Sequence, residues 1–355
     1  MLHLVDGLVE RGHRVDLVLV RAQGPYAEIV PEGVNVVDLN CRRIATSFRP
    51  LVQYLKSEQP AVMLSALKST NCVATWAKWL SAVDMRLFVS ERSNLSESTS
   101  NSIKWQDRVL PLLMRMSYAR TDGVVAVSQG VADDLVNVLG LSRPNIQVIY
   151  NPVVTAGLEQ WASAPLDHEW FAQGSPPVIV AAGRLTAAKD FPSLIRSFAK
   201  LRKSRKARLM IIGEGEDRPD LESLVHELGL SDDVAMPGFV ENPYKYMANA
   251  SVFVLSSRWE GLGLVLIEAM ACGSPVVATD CPSGPREILE DGKWGKLVPM
   301  QDPAELASAI EQVLDEGGCD ARPRAAQFSV SRAVDHYAEL LQTGARAQQK
   351  EPEHG

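Results

Sequence analysis

The stretch Ser256-Ser257-Arg258-Trp259-Glu260-Gly261-Leu262-Gly263-Leu264-Val265-Leu266-Ile267-Glu268-Ala269-Met270-Ala271-Cys272-Gly273-Ser274-Pro275 decides how this chain reads. The apolar run Val252 to Leu255 leads into it and predicts a buried strand. A loop carrying Glu260 and two glycines follows. Leu264 to Ala271 then predicts a helix, stopped by Gly273 and Pro275. Strand, glycine loop and helix N-terminus together make an anion site. Backbone N–H groups over Gly261, Leu262, Gly263, Leu264 and Val265 are expected to point at a phosphate, and the helix dipole favours its charge. Glu260 and Glu268 bracket that site, one in the loop and one about a turn inside the helix. A carboxylate accepts hydrogen bonds from vicinal hydroxyls and repels phosphate. A ligand with phosphates in the middle and hydroxyls at both ends, such as a nucleotide sugar, fits this pattern. The plain alternative keeps Glu268 as a solvated helix residue and Glu260 as a turn residue, because glycine loops before helices are common.

Glu260-x7-Glu268 is followed by Ala269-Met270-Ala271-Cys272-Gly273-Ser274-Pro275-Val276-Val277-Ala278-Thr279 and by Pro282-Ser283-Gly284-Pro285-Arg286-Glu287-Ile288. This text resembles the retaining glycosyltransferases of family 4, which have the GT-B fold, and it matches their E-x7-E motif. The resemblance covers most of the C-terminal half and is looser in the N-terminal half. It implies an α/β chain of two Rossmann-like, doubly wound domains facing a cleft. Alternating strand and helix patterns over both halves agree with α/β architecture.

Further matches lie upstream. Val178 to Ala182 predicts a strand, and Gly183-Arg184-Leu185-Thr186-Ala187-Ala188-Lys189 after it resembles the family's G-R-L-x-x-x-K text. Gly183 lets the backbone approach a ligand. Arg184 offers a fork to phosphate oxygens and Lys189 a point charge. Gly213-Glu214-Gly215 resembles a G-x-G turn whose backbone borders the nucleotide in the family. By the same resemblance Phe239 and Val240 are candidate contacts to the base, although a core role for Phe239 is as good a reading. Asp302 and Pro303 predict a helix start over Ala304 to Leu314.

The N-terminal half opens unusually. Met1 to Arg11 predicts a helix and Arg14 to Val20 a strand, whereas a doubly wound fold opens on a strand. The first strand and its glycine-rich loop, usual in the family, are missing. The expectation is unpaired backbone in the neighbouring strands, with either a start further upstream or a truncated relative as the cause. Arg86 to Ser90 predicts a strand ending in Glu91-Arg92-Ser93-Asn94, where open α/β sheets place ligands. The related stretch in the family faces the acceptor, so Glu91 is a candidate catalytic group, with a polar loop as the alternative. Asn94 to Asn101 reads as a polar loop. The 103–119 segment mixes Trp105, Leu110, Leu112, Leu113 and Met116 with Lys104, Arg108 and Arg115, and Pro111 interrupts it. Such a helix either packs on its domain or lies peripherally on an anionic membrane surface.

Composition bounds the rest. With 355 residues, 46% hydrophobic and 22% charged, the chain is long enough for two domains. The net charge of −7 argues against nucleic acid as a partner. Residues 1–150 carry 16 Lys+Arg against 14 Asp+Glu, so the acidity lies in the second half. No apolar run is as long as a membrane span, and the start lacks the basic region of a signal peptide. Five scattered cysteines suggest reduced thiols and a cytoplasmic protein, at most at the cytoplasmic membrane face.

The expected organisation is an acceptor-side domain over 1–152, a linker over 153–176, a nucleotide-sugar domain over 177–328, and a terminal helix with a frayed tail over 329–355. The expected activity is retaining transfer from a nucleotide-diphosphate sugar to a glycan or lipid-linked acceptor. Glu260 and the Gly261–Leu264 backbone hold the sugar, Glu268 the ribose, and Arg184 and Lys189 the diphosphate. UDP is expected from the 281–285 text, with GDP open. No D-x-D occurs, and no cofactor or metal is expected. An inactive sugar-nucleotide binder, or another GT-B enzyme such as an epimerase, is the alternative.

Overall fold

A computed structural model describes residues 1–24, 29–100 and 105–343. Ile103, Lys104 and the tail from residue 344 lie outside the described residues. The chain forms two compact units. One holds Met1–Pro152 together with the Val330–Thr343 helix, and the other is Val153–Ser329.

The second unit contains one six-stranded parallel sheet. Its strands are β7 (Val178–Ala182), β8 (Arg208–Ile212), β9 (Val234–Gly238), β10 (Val252–Leu255), β11 (Val276–Thr279) and β12 (Lys296–Val298). Their order is β12-β11-β10-β7-β8-β9. Every residue of β7, β10 and β11 is buried, as expected for parallel strands covered on both faces. Crossover helices supply the covers. Phe191–Ser204, for example, contributes Phe191, Leu194, Ile195, Phe198 and Leu201 to the core. The order reverses between β7 and β10, so their C-terminal ends flank a switch point, the place where such sheets hold ligands.

Residues 153–176, read from sequence as a connection, pack on this unit. Val153 and Val154 N–H groups donate to the Phe328 carbonyl. Asn242 Nδ2 donates to the Trp161 carbonyl at 2.8 Å, and the His168 ring meets Tyr246 edge-on.

The first unit has two separate parallel sheets. β1 (Asp16–Leu19) pairs β2 (Asn35–Asp38), and β3 (Val62–Ala66), β4 (Arg86–Glu91), β5 (Gly123–Ala126) and β6 (Ile146–Val148) form a second. Among the described residues no strand pairs the remaining edge of β1 or of β3. Leu4 and Leu8 of the first helix pack with Val125, Ile149, Val334 and Tyr337, so the Val330–Thr343 helix closes this unit's core.

Two local readings need correction. Asn94 to Asn101 is not all loop, because Leu95–Ser100 is helical. Asn94 Oδ1 accepts from Glu97 N–H at 3.1 Å, and Asp134 Oδ2 accepts from Leu95 N–H at 2.5 Å, so a cap and a distant carboxylate satisfy the first turn. Pro111 does not interrupt its helix, which runs from Trp105 to Tyr118 with the proline inside.

Tyr337 is 1% exposed at the centre of the first unit's core. Tyr337→Ala should cost about 3–5 kcal/mol, the usual range for deleting a large buried aromatic. Chemical denaturation should show the first unit's transition moving and the second unit's staying in place.

Candidate active site

Two loops build the site at the switch point of the second unit. The loop after β7 carries Gly183 to Asp190, and the loop after β10 carries Ser256 to Gly263. They are tied together through the backbone. Arg258 N–H donates to the Ala188 carbonyl at 2.8 Å, and Ser256 Oγ donates to the Lys189 carbonyl at 2.7 Å. The Lys189 stem then lies across Gly183. A methyl group at position 183 would come within 3.0 Å of Lys189 Cε, and the φ of +155° there is one that side-chain-bearing residues rarely adopt.

Lys189 and Glu260 form an ion pair, with Nζ 2.5 Å from Oε1. Their side chains are only 17% and 13% exposed. Ser257 Oγ donates to the same carboxylate oxygen at 2.7 Å. Glu268 lies on the Leu264–Ala271 helix within electrostatic reach of Lys189. Burial pushes its carboxyl pKa up, and the Lys189 charge pulls partly the other way. No hydrogen bond reaches the Glu268 carboxyl among the described residues. Its charge reaches Tyr244, whose phenol is pushed up to about 12 mainly by burial. It also reaches Cys272, whose thiol burial likewise pushes up to about 12. Burial raises the Cys281 thiol, and the Glu260 charge adds to the effect.

The helix that starts at Leu264 has no side-chain cap. Gly263 occupies the cap position at φ +91°, a left-handed conformation that suits glycine. The Leu264 and Val265 N–H groups make no backbone hydrogen bond, so the helix presents open donors beside two carboxylates and an ammonium.

The other candidates fall in different places. Arg184 does not join the Lys189 pair. Its guanidinium bonds Glu216 at 3.2 Å on an exposed surface. Gly213 and Gly215 serve close loop packing. A Cβ there would sit 2.0 Å from the Gly183 carbonyl oxygen and 2.1 Å from that of Leu185. Backbone bonds from Gly183 N–H to Ile212 and from Leu185 N–H to Glu214 zip these loops together. Leu262 is buried. Val240 is half-buried, and Phe239 is 83% exposed just beyond β9, which excludes a core role for that ring. Ser256, Ser257, Tyr244 and Thr279 have no sequence signal of their own, since hydroxyls near strand ends are ordinary loop chemistry.

Glu91 belongs to the first unit and is 1% exposed. Its carboxylate accepts from Tyr118 Oη at 3.1 Å, Arg92 N–H at 3.1 Å and Ser93 Oγ at 3.2 Å. Burial nevertheless raises its pKa, with the Lys68 charge opposing. The buried side-chain atoms without a partner among the described residues all lie in this unit, around the C-terminal ends of β3, β4 and β6. They include Ser65 Oγ, Asn71 Oδ1 and Asn151 Oδ1.

Residues 1–156 match the Glycosyltransferase Family 4 domain, and residues 166–329 match Glycosyl transferases group 1. The chain is 29% identical, over 85% of its length and 82% of the relative, to a 4-alpha-N-acetylgalactosaminyltransferase of Campylobacter jejuni that acts on N-acetylgalactosamine-N,N'-diacetylbacillosaminyl-diphospho-undecaprenol. It is 34% identical to the lipopolysaccharide core biosynthesis glycosyltransferase LpsE of Rhizobium meliloti, over 64% of this chain and 66% of that one. The crystal structure of Anabaena HepE in complex with UDP-glucose superposes with a TM-score of 0.81 at 21% identity, over 96% of this chain and 94% of that one. Fold and matches together define a glycosyltransferase of the GT-B class. The chain belongs to glycosyltransferase family 4.

The raised Glu268 pKa has a consequence for stability. A carboxyl whose folded pKa lies above its unfolded value stabilises the fold below the ordinary carboxylate range. That contribution is lost as pH rises through the folded value. Glu268→Gln should therefore raise the ligand-free melting temperature near neutral pH, by about 2–4 °C for each kcal/mol gained. Its advantage over wild type should shrink on acidification. Melts across pH 4–8 check both points.

Proposed function

We propose that this glycosyltransferase moves a hexosyl or N-acetylhexosaminyl group from a UDP-sugar to a glycan or lipid-linked acceptor, with retention and without a metal ion. The observation that carries the reading is the grouping of Lys189, Glu260 and Glu268 around the uncapped Leu264 helix at the switch point. The donor is assigned to the second unit and the acceptor to the first.

In this reading the pyrophosphate lies on the Leu264 and Val265 N–H groups, and Lys189 turns from Glu260 toward it. Arg184 swings from Glu216 to join it. Its exposure leaves it free to do so. The bond from C1 to the phosphate oxygen breaks, and its electron pair stays on that oxygen. The cation and helix dipole stabilise the charge. Glu260 and the Gly261–Leu264 backbone hold the sugar hydroxyls, and Glu268 accepts from the ribose. The acceptor hydroxyl bonds to C1 on the same face, and its proton passes to the leaving phosphate. The exposed Phe239 ring and Val240 line the base. Gly183, Gly213 and Gly215 keep the surrounding backbone close. Glu91, buried under three donors, acts by fixing the Arg92–Asn94 segment on the acceptor side.

UDP rests on the 281–285 text and on the fold shared with HepE, which was crystallised with UDP-glucose. A surface-polysaccharide pathway and a lipid-linked acceptor rest on the names of the two relatives. No described helix is long and apolar enough to cross a membrane. We assign the chain to the cytoplasmic membrane face through the Trp105–Tyr118 helix. Val109, Leu112, Leu113 and Met116 recur on it at helical spacing and are all exposed. Arg115 and Arg120 flank them and favour anionic lipid, at about 1 kcal/mol per basic residue near the surface.

Thermal shift with UDP-, GDP- and ADP-sugars should show the largest shift for a UDP-sugar, and a larger shift with GDP-sugars would move the base assignment. Transfer from that donor should persist in EDTA. Lys189→Ala should lower turnover at least about tenfold. Wild-type rates in the variant would remove Lys189 from the chemistry.

Replacing Leu112 and Leu113 with Asp should abolish sedimentation with phosphatidylglycerol-containing vesicles and leave the melt unchanged. Salt should weaken the wild-type binding. Equal binding to vesicles of phosphatidylcholine alone would contradict the electrostatic part.

A further inference from the structure

We infer that Ser257 is a positioning residue for Glu260, and that its hydroxyl governs how well the site grips the sugar part of the donor. The inference rests on the reading of Glu260 as the sugar-holding carboxylate. Ser257 is fully buried two residues beyond β10. Its Oγ donates to Glu260 Oε1 at 2.7 Å, the oxygen that also receives Lys189 Nζ at 2.5 Å. Glu260 Oε2 accepts no hydrogen bond among the described residues. One carboxylate oxygen is therefore fully engaged by the protein, and the other is left for a ligand hydroxyl.

The two donors do different work. An ammonium on a four-carbon stem is a nearly isotropic charge and follows either oxygen as the carboxylate rotates. A buried hydroxyl on a single carbon is directional and fixed to the backbone. Only the serine can decide which oxygen faces the ligand. The serine is itself held from the next strand, since Thr279 Oγ1 at the end of β11 donates to the Ser257 carbonyl at 2.6 Å. Its neighbour Ser256 holds the Lys189 backbone. Consecutive hydroxyls thus anchor the two halves of the ion pair separately. Without Ser257 the Lys189 charge retains Glu260 only while the site is empty, and nothing aims its carboxylate once Lys189 turns to the pyrophosphate. A misplacement of about 1 Å at such a group costs up to about a hundredfold.

The test is a double-mutant cycle on the full chain with wild type, Ser257→Ala, Glu260→Ala and the double variant. Calorimetry with UDP, UDP-glucose, UDP-galactose, UDP-N-acetylglucosamine and UDP-N-acetylgalactosamine reads one quantity. That quantity is the affinity for the best-bound sugar nucleotide relative to UDP alone. Ser257→Ala should lower this ratio about tenfold, with UDP affinity within about twofold, and the double variant should do no worse than Glu260→Ala. A disordered loop would weaken UDP as well. An unchanged ratio in Ser257→Ala, a parallel loss of UDP, or losses that add in the double variant overturn the positioning role. An unchanged ratio in Glu260→Ala, or no sugar preference in wild type, overturns the reading of Glu260 instead. If Ser257→Ala does not fold, Thr279→Val frees the Ser257 carbonyl at nearly constant shape and carries the same comparison.

Discussion

The ion pair of Lys189 and Glu260 is the contact around which the second unit's site is built. Its two halves come from different strand-to-helix loops, and those loops meet only because β7 and β10 are neighbours in the sheet. The lysine stem passes close over position 183, where glycine leaves it room. Removing one partner of such a pair strands the other in a poorly solvated place, at a cost of about 3–5 kcal/mol. The pair therefore ties the loops while the site is empty. The same groups can exchange partners when phosphate and hydroxyls arrive, because each finds an equivalent charge or donor in the ligand.

The helix beside this pair has no side-chain cap, whereas two other helices of the chain do. The helix that opens at Gln129 is capped by Ser128 Oγ, which accepts from Val131 N–H. The one that opens at Pro303 is capped by Asp302, which accepts from Ala304 and Glu305 N–H. The Leu264 helix has glycine at that position and leaves its first donors open. A turn further on, Glu268 is an acceptor short of donors, and burial makes its charged form costly. Unused donors and an unused acceptor thus lie close together but cannot satisfy one another. A ligand carrying phosphate next to hydroxyls satisfies both, so the price of the unliganded state is recovered on binding. The stability forgone at Glu268 and the affinity proposed for it have the same origin.

Much of this was readable from the sequence, for a physical reason. Strands buried on both faces are unbroken apolar runs, so Val178–Ala182 and Val252–Leu255 stand out at their observed bounds. The Leu264–Ala271 helix is bounded by glycines, and the spacing of Glu260 and Glu268 follows from it. What could not be read depends on contacts distant in sequence. The Arg184 partner is Glu216, and Lys189 meets a carboxylate 71 residues away. The short helix after Asn94 owes its first turn to Asp134 on another element. Local composition there, rich in serine, argues for a loop and is overruled. The 153–176 segment lacks periodicity because it is held by single anchors such as Asn242 to Trp161, not by one apolar face.

The first unit shows how far burial can substitute for strand pairing. Its strands fall into two ladders, and β1 and β3 each keep an edge with no partner strand among the described residues. Both are only partly buried, in contrast to β7 and β10. Hydrogen bonding between these two edges therefore contributes nothing to their cohesion. Packing does that work instead. Val15, just ahead of β1, and Leu64, within β3, lie against the same cluster of Leu4, Leu8, Val334 and Tyr337. The first and last helices thus hold both ladders by apolar contact, which is non-directional and tolerates a break in the sheet. Directional interactions concentrate elsewhere in the unit, at Glu91, Tyr118 and Asn71, where Asn71 Nδ2 donates to Tyr118 Oη at 2.9 Å. That network fixes the C-terminal end of β4 whatever happens at the open edges. The part of the unit assigned to the acceptor therefore keeps its geometry independently of the part that lacks a ladder.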